Sequence, residues 1–256
     1  MTLPLRQFAD GLVDLIFPKR CVACGAPGDW LCPTCRPGLE PVVTSCSRCA
    51  APADRPRDGC AECRDREFAF VTARAAFRYE GPARSLVTSC KFRPLRSLAT
   101  EMAALAGEAF AQSLASPAGS PRCVTCVPVH RQRRLERGFN QAELMARELA
   151  QKSGLRFVQL LHRHDGGQRQ SALGRDQRAA NVRAVFAIDD RALANAGMVE
   201  RIVIVDDVYT TGETLHQCAL ELRSAGIESH AFAFARSARR LCRGAVPQRR
   251  AKERSR

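Results

Sequence analysis

Arg201-Ile-Val-Ile-Val-Asp-Asp-Val-Tyr-Thr-Thr-Gly-Glu-Thr-Leu215 is the stretch on which the reading of the fold turns. After Arg201, residues 202–205 are aliphatic and all β-branched, the composition of a buried central strand. Asp206 and Asp207 follow at its carboxyl end, where open α/β sheets bind ligands. A small polar turn then opens a helix over residues 212–225, which Gly226 ends. Amides from Thr211 to Thr214 at that helix N-terminus have no acceptor within the helix and lie at its positive end, ready for a phosphate. The hydroxyls of Thr210, Thr211 and Thr214 add donors, Glu213 belongs to the same turn, and Gly212 permits close backbone approach. Thr210-x-x-Glu213 is also a passable capping box, which accounts for the turn but not for the paired acids.

A bare phosphate site would avoid carboxylates. Two acids beside a phosphate cradle make sense if the ligand also presents hydroxyls or a divalent cation, and a ribose 5-phosphate meets that condition. Neither GxxxxGK[ST] nor GxGxxG occurs, which disfavours ATP and NAD. A second segment has complementary charge. Residues 127–141 join a strand end to a helix and carry Arg131, Arg133, Arg134 and Arg137 against one acid, Glu136. Guanidinium forks match phosphate oxygens, so Arg131 and Arg137 lead as contacts for an anionic phosphate group, with a solvated surface run as the alternative. His130 either meets a leaving group or is structural. Asn140 and Gln141 either cap the next helix or touch ligand, and Lys91 either reaches a phosphate across the cleft or stays on the surface.

Working outward, residues 68–79 alternate well enough for one or two strands, and 84–92 and 95–114 read as helices. Strands are expected over 123–129, 156–161 and 229–235, and a helix over 140–153 ended by Gly154. Residues 166–183 are polar and glycine-bearing. Strands alternating with helices imply an α/β fold with a parallel sheet covered on both faces.

Eight of the 13 cysteines lie in four CxxC pairs: Cys21/Cys24, Cys32/Cys35, Cys46/Cys49 and Cys60/Cys63. Two thiolates three positions apart turn toward one ion through a knuckle, and two knuckles complete a tetrahedron. Eight sulfurs suit two zinc sites of four thiolates each, with sequential pairing favoured over crossed. The segment is poor in core residues, so metal would replace a hydrophobic core. This reading outweighs a disulfide framework or an iron–sulfur cluster. A fifth CxxC, Cys123/Cys126, lies in a strand-like run, where residues three apart face opposite sides and their sulfurs diverge.

The formal net charge of +14 first suggests an anionic partner, but residues 236–256 alone hold nine Lys/Arg against Glu253, leaving +6 elsewhere. Such a tail buries no core and is expected to be disordered, either solvated or in contact with nucleic acid. Residues 1–20 read as a short amphipathic helix, interrupted by Asp10 and Asp14 and lacking a cleavage site. No stretch approaches the ~20 apolar residues of a membrane span. A cytoplasmic chain is expected.

Val205-Asp-Asp-Val-Tyr-Thr-Thr-Gly-Glu-Thr214 resembles the phosphoribosyl pyrophosphate motif of type I phosphoribosyltransferases. The wider chain resembles the ComF family, through Pro18 before the first CxxC, the ribbon, Lys91-Phe92, Pro128-Val-His130, Arg137-Gly-Phe-Asn-Gln141, Gln170-x-x-Leu173 and Arg178-x-x-Asn-Val182. Gly167 departs from the Thr common before Gln170 in such sequences. The resemblance implies a Rossmann-like type I phosphoribosyltransferase domain over 67–236 with a hood at about 68–98. In front of it would stand a double zinc ribbon over 21–66, and behind it a basic tail over 237–256. It implies phosphoribosyl pyrophosphate bound with Mg2+: Asp206 and Asp207 on the ribose, residues 210–214 on the 5-phosphate, and His130, Arg131 and Arg137 on pyrophosphate. It also implies a link to DNA uptake, with single-stranded DNA and other DNA-uptake proteins as partners. No residue stands out as the base for an acceptor, so the motif licenses ligand binding more firmly than transfer. Single-stranded binders add stacking aromatics to basic grooves, and aromatics are only 6% of this chain.

Overall fold

The computed structural model describes residues 18–92, 95–115, 121–164 and 185–237, the side chain of Phe92 excepted. The expected amphipathic start, most of the basic tail and the segment holding Gly167, Gln170, Leu173, Arg178, Asn181 and Val182 lie outside them. Five strands form one parallel sheet: β1 (Ala73–Arg78), β2 (Cys123–Cys126), β3 (Arg156–Phe157), β6 (Arg201–Tyr209) and β7 (Glu228–Arg236), in the order β1-β7-β6-β2-β3. A small antiparallel pair, β4 (Leu161–Arg163) and β5 (Phe186–Ile188), stands apart. The helices are α1 (Gly81–Phe92), α2 (Arg96–Ser113), α3 (Arg131–Arg137), α4 (Gln141–Lys152), α5 (Asp190–Ala196) and α6 (Glu213–Ser224).

The sheet separates two apolar cores, as the period-2 alternation of strands requires. Val124, Cys126, Val203, Val205, Phe232 and Phe234 pack with Met102, Phe110, Met145 and Leu149 of α2 and α4. Cys123, Ile202, Ile204, Ala231 and Ala233 pack with Leu215, Cys218 and Leu222 of α6. Cys123 and Cys126 thus fall in opposite cores, as their spacing along a strand dictates.

Several expectations need correction. The strand begun at Arg201 runs on to Tyr209, so Asp206 and Asp207 lie within it and not beyond its end, Asp206 pairing Ala233 of β7. Residues 156–161 hold only the two residues of β3 and the first of β4. Helix α3 leaves no periodic signal because none of its residues is buried, so it has no apolar stripe; a His130 N-cap and Gly138, at φ 76°, define it instead. Within the region 68–98, β1 joins the main sheet beside β7 and α1 packs on α2 within the first core. Arg236, counted with the basic tail, is the buried last residue of β7.

The cysteine-rich segment wraps the edge of the sheet. Its first half, with Cys21, Trp30, Leu31, Cys32 and Leu39, belongs to the α2/α4 core. Its second half, with Cys46, Cys49, Ala50, Ala51 and Cys63, belongs to the α6 core. The connecting backbone crosses the free side of β1: the Val42 amide donates to Ala76 O (2.9 Å), the Arg78 amide to Glu40 O (2.8 Å) and the Ala73 amide to Ser47 O (2.7 Å). Pro41 bridges Phe77 in antiparallel sense.

Candidate functional site

The eight paired cysteines gather as Cys21, Cys24, Cys32, Cys35 and as Cys46, Cys49, Cys60, Cys63, each set with its sulfurs within 4.8 Å of one another. Pairing is sequential. Individual Sγ–Sγ separations are 3.6 Å (Cys24–Cys32), 3.7 Å (Cys46–Cys63), 3.5 Å (Cys49–Cys60) and 3.8 Å (Cys60–Cys63). Zn–S bonds of about 2.3 Å in a tetrahedron set sulfurs about 3.8 Å apart, whereas a disulfide needs about 2.05 Å. The donor sets fit structural zinc. Burial raises the Cys21 thiol, but N–H groups of Cys32, Cys24 and Ala23 outweigh it and bring it down to about 6, the state a metal requires.

The proposed phosphate turn follows β6. Gly212 has φ 80°, and a Cβ placed there would overlap the Tyr209 hydroxyl. The glycine is therefore demanded from beneath, by the phenol that floors the turn. Tyr209 is buried with its hydroxyl unpartnered among the described residues, its ring under Arg236 (4.6 Å) and edge-on to Phe70 (6.4 Å). The His216 amide bonds Gly212 O (2.8 Å) and the Glu213 amide reaches Thr211 Oγ1 (3.3 Å). Among the described residues no acceptor meets the Gly212 or Thr214 amides. Thr210 and Glu213 are exposed, as a ligand-facing turn requires. Its carbonyls are held by guanidiniums: Arg236 Nη1 donates to Thr210 O (3.0 Å), and Arg66 Nη1 to Thr211 O, with Arg66 also pairing Glu213 (3.5 Å).

The two carboxylates differ. Asp207 is 5% exposed, and its Oδ2 takes a bond from Gln141 Nε2 (2.9 Å) and an ion pair from Lys91 Nζ (3.0 Å). Asp206 is half-buried, and its Oδ1 accepts from the Asp207 amide (2.8 Å). Crowding by the surrounding chain, and next the Asp207 charge, push the Asp206 carboxyl up to about 8; the Asp207 N–H and Lys91 oppose this. Lys91 does not point to an empty phosphate position: its partner is Asp207.

Among the arginines of α3, Arg131, Arg133 and Arg134 are exposed, and Arg134 pairs Glu143 (3.6 Å). Arg137 turns inward and donates to Gln141 Oε1 (3.2 Å). Gln141 therefore links Arg137 to Asp207 and joins the basic segment to the acid pair. Asn140 caps α4: its Oδ1 accepts from the Ala142 amide (3.0 Å) and its Nδ2 donates to Val127 O (2.9 Å). His130 Nδ1 accepts from the Gln132 amide (3.2 Å), a capping role.

Residues 12–69 match the double zinc ribbon domain. DNA utilization protein YhgH of Salmonella typhi is 28% identical over 211 residues, 80% of this chain and 91% of that protein. Competence protein ComFC of Bacillus subtilis is 34% identical over 114 residues, 43% of each chain. The chain is thus similar to DNA utilization and competence proteins of the ComF kind. Competence protein F of Haemophilus influenzae adds 29% identity over 109 residues, 42% of this chain and 47% of that one. Orotate phosphoribosyltransferase from Aeropyrum pernix aligns with 60% of this chain and 64% of its own, at 19% identity and TM-score 0.35.

The chain accordingly combines a parallel-sheet α/β domain with a segment that matches the double zinc ribbon and gathers two four-cysteine sites. Asp207, Arg137, Gln141 and Lys91 are joined in one bonded chain, the 210–214 turn adjoins it at the end of β6, and Arg131 stays in solvent. Sequence reading missed Arg66, Arg236, Glu62 and Tyr209. Tyr209 lies inside the quoted motif and its lining role shows only in three dimensions. The two arginines are separated from the turn by 145 and 26 positions and carry no local pattern. Among the described residues no helix is long and apolar enough to cross a membrane.

Proposed function

We propose that this chain binds phosphoribosyl pyrophosphate, with its accompanying Mg2+, at the carboxyl end of β6 and serves DNA uptake or the use of external DNA. The observation that carries the reading is the turn after Tyr209: amides at Gly212 and Thr214 with no acceptor among the described residues, and carbonyls of Thr210 and Thr211 held by Arg236 and Arg66. Such a turn presents N–H groups to a phosphate without a competing acceptor. Asp206 would accept from the ribose diol, and Asp207, held by Lys91 and Gln141, would fix the floor beneath it. Arg137 and Arg131 would meet the pyrophosphate. In a transfer step the C1–O bond to pyrophosphate breaks, the leaving group takes the electron pair, and a nucleophilic nitrogen of the acceptor bonds C1. The residues here stabilise charge and position; none supplies an acceptor base. The role in DNA handling rests on the names of the relatives, a DNA utilization protein and two competence proteins.

Calorimetric titration with phosphoribosyl pyrophosphate and Mg2+ tests the reading. Wild type binds, and the Asp206→Asn/Asp207→Asn variant loses affinity at least tenfold, about 1.4 kcal/mol. Equal affinities would reject the site. A second reading, a non-catalytic accessory that binds single-stranded DNA, is favoured by the exposed arginines of α3. It requires binding that falls steeply with salt and weakens in Arg131→Ala/Arg133→Ala/Arg134→Ala.

A further inference from the structure

The two four-cysteine sites stand in different relations to the phosphate turn. The second is bonded to it through one side chain. Arg236 is 3% exposed, and its guanidinium, besides bonding the Ser237 carbonyl, donates in three further directions. Nε donates to Cys49 O (3.0 Å), the carbonyl of a zinc ligand; Nη2 pairs Glu62 (2.6 Å), which lies between the ligands Cys60 and Cys63; Nη1 donates to Thr210 O (3.0 Å), where the turn leaves β6. The same plane lies over Tyr209, the residue against which Gly212 is seated. Arg66, three positions after Cys63, repeats the arrangement from the other side: it bonds Thr211 O and pairs Glu213, while its own carbonyl accepts from Arg48 Nη2 (2.8 Å), and Arg48 adjoins Cys49. Two guanidiniums thus run from the second knuckle pair to successive carbonyls of one turn. Near the first site, the adjacent and exposed Arg36 side chain reaches, among the described residues, only Glu101 of α2 (3.3 Å).

We propose that Arg236 is a positioning residue, which with Arg66 makes the zinc-bound conformation of Cys46, Cys49, Cys60 and Cys63 the frame that shapes the phosphate turn. The proposal rests on residues 210–214 being the phosphate site. The chemistry needs a guanidinium. Only a planar fork with five donors reaches the Cys49 carbonyl, the Glu62 carboxylate and the Thr210 carbonyl together; a lysine ammonium is a single point. With the carbonyls pinned, the amides of the turn face outward without ordering on binding, which lowers the cost of taking up a phosphate. Metal at the second site therefore acts on ligand affinity, and metal at the first on the α2/α4 core alone.

The test compares zinc-loaded full-length wild type with Arg236→Lys, Glu62→Gln and, as control, Arg36→Gln. Three readouts are taken: zinc per chain, affinity for ribose 5-phosphate, and amide hydrogen exchange at His216 and Gln217, in the first turn of α6, against Ile204 in β6. Arg236→Lys should keep two zinc ions per chain, bind ribose 5-phosphate about tenfold more weakly, and exchange His216 and Gln217 about tenfold faster with Ile204 unchanged. Glu62→Gln, the milder change, should shift the same readouts by about threefold, and Arg36→Gln should shift none. Unchanged exchange in both ribbon variants overturns the proposal, and so does Ile204 accelerating in step, which would mark general destabilisation. If wild type binds no ribose 5-phosphate, the ligand reading fails, while the exchange data still decide the coupling.

Discussion

The two sides of the candidate site are built in opposite ways. The turn after β6 is held from behind: Tyr209 floors it, and Arg66 and Arg236 hold its carbonyls, the latter 3% exposed. The arginine helix α3 has no buried residue and depends on its His130 and Gly138 caps and a few solvent-facing bonds. One side is shaped by bonds from within the protein; the other presents exposed charge. A turn held in this way gives geometric selection for a sugar phosphate, whereas exposed arginines attract anions with less discrimination.

Gly212→Ala should break that contrast most severely. An alanine there meets both the left-handed backbone region and the Tyr209 hydroxyl, at a cost of about 1–3 kcal/mol. A lowered Tm and no calorimetric binding of ribose 5-phosphate are expected; an unchanged affinity would show that the turn is not the site. Tyr209→Phe is its counterpart. It deletes a buried hydroxyl with no partner among the described residues, so the Tm should hold or rise.

Asp206→Asn sharpens the comparison through pH. The folded carboxyl titrates near 8, above its ordinary value of 3.8, so the native state binds the extra proton and stability falls as pH rises from about 4 through about 8. Thermal unfolding of wild type should show that decline, and Asp206→Asn should flatten it. A variant profile parallel to wild type would mean that Asp206 is not the group responsible.

On the arginine side, Arg137→Ala should weaken phosphoribosyl pyrophosphate binding by about tenfold, because it removes the proposed pyrophosphate contact and unpins Gln141 from Asp207's neighbourhood. Arg133→Ala, at an exposed position, should cost about twofold or less and should mainly reduce salt dependence. Equal losses at the two positions would erase the distinction between an inward and an outward arginine.

Much of this was legible in the residues. Periodicity gave the parallel sheet, the four CxxC pairs gave two four-cysteine sites, and strand alternation placed Cys123 and Cys126 in different cores. Asp206 and Asp207 were identifiable as unusual because acids at the end of an aliphatic strand have no structural excuse. Their inequality was not, since it depends on Lys91 and Gln141, both far upstream in the chain and indistinguishable from surface residues by type. Arg236 falls in with a basic tail for the same reason. Local composition surrounds it with arginines, and only β7's pairing with β6 carries it inside. Contacts between distant segments are set by chain reversal, which no window of sequence records.

The ribbon's passage across β1 has a consequence for handling and for the cell. An outer strand with open amides and carbonyls invites another strand to dock. Here the Val42 and Arg78 amides, the Glu40, Ser47 and Ala76 carbonyls and the Pro41–Phe77 bridge fill that role within the chain. This cover has few apolar residues of its own and is kept in shape by zinc. Chelation should therefore do more than loosen a small module. It should unmask a flat row of backbone partners, so that metal-starved protein is lost to self-association before its sheet melts, and the metal serves as the chain's guard against its own copies.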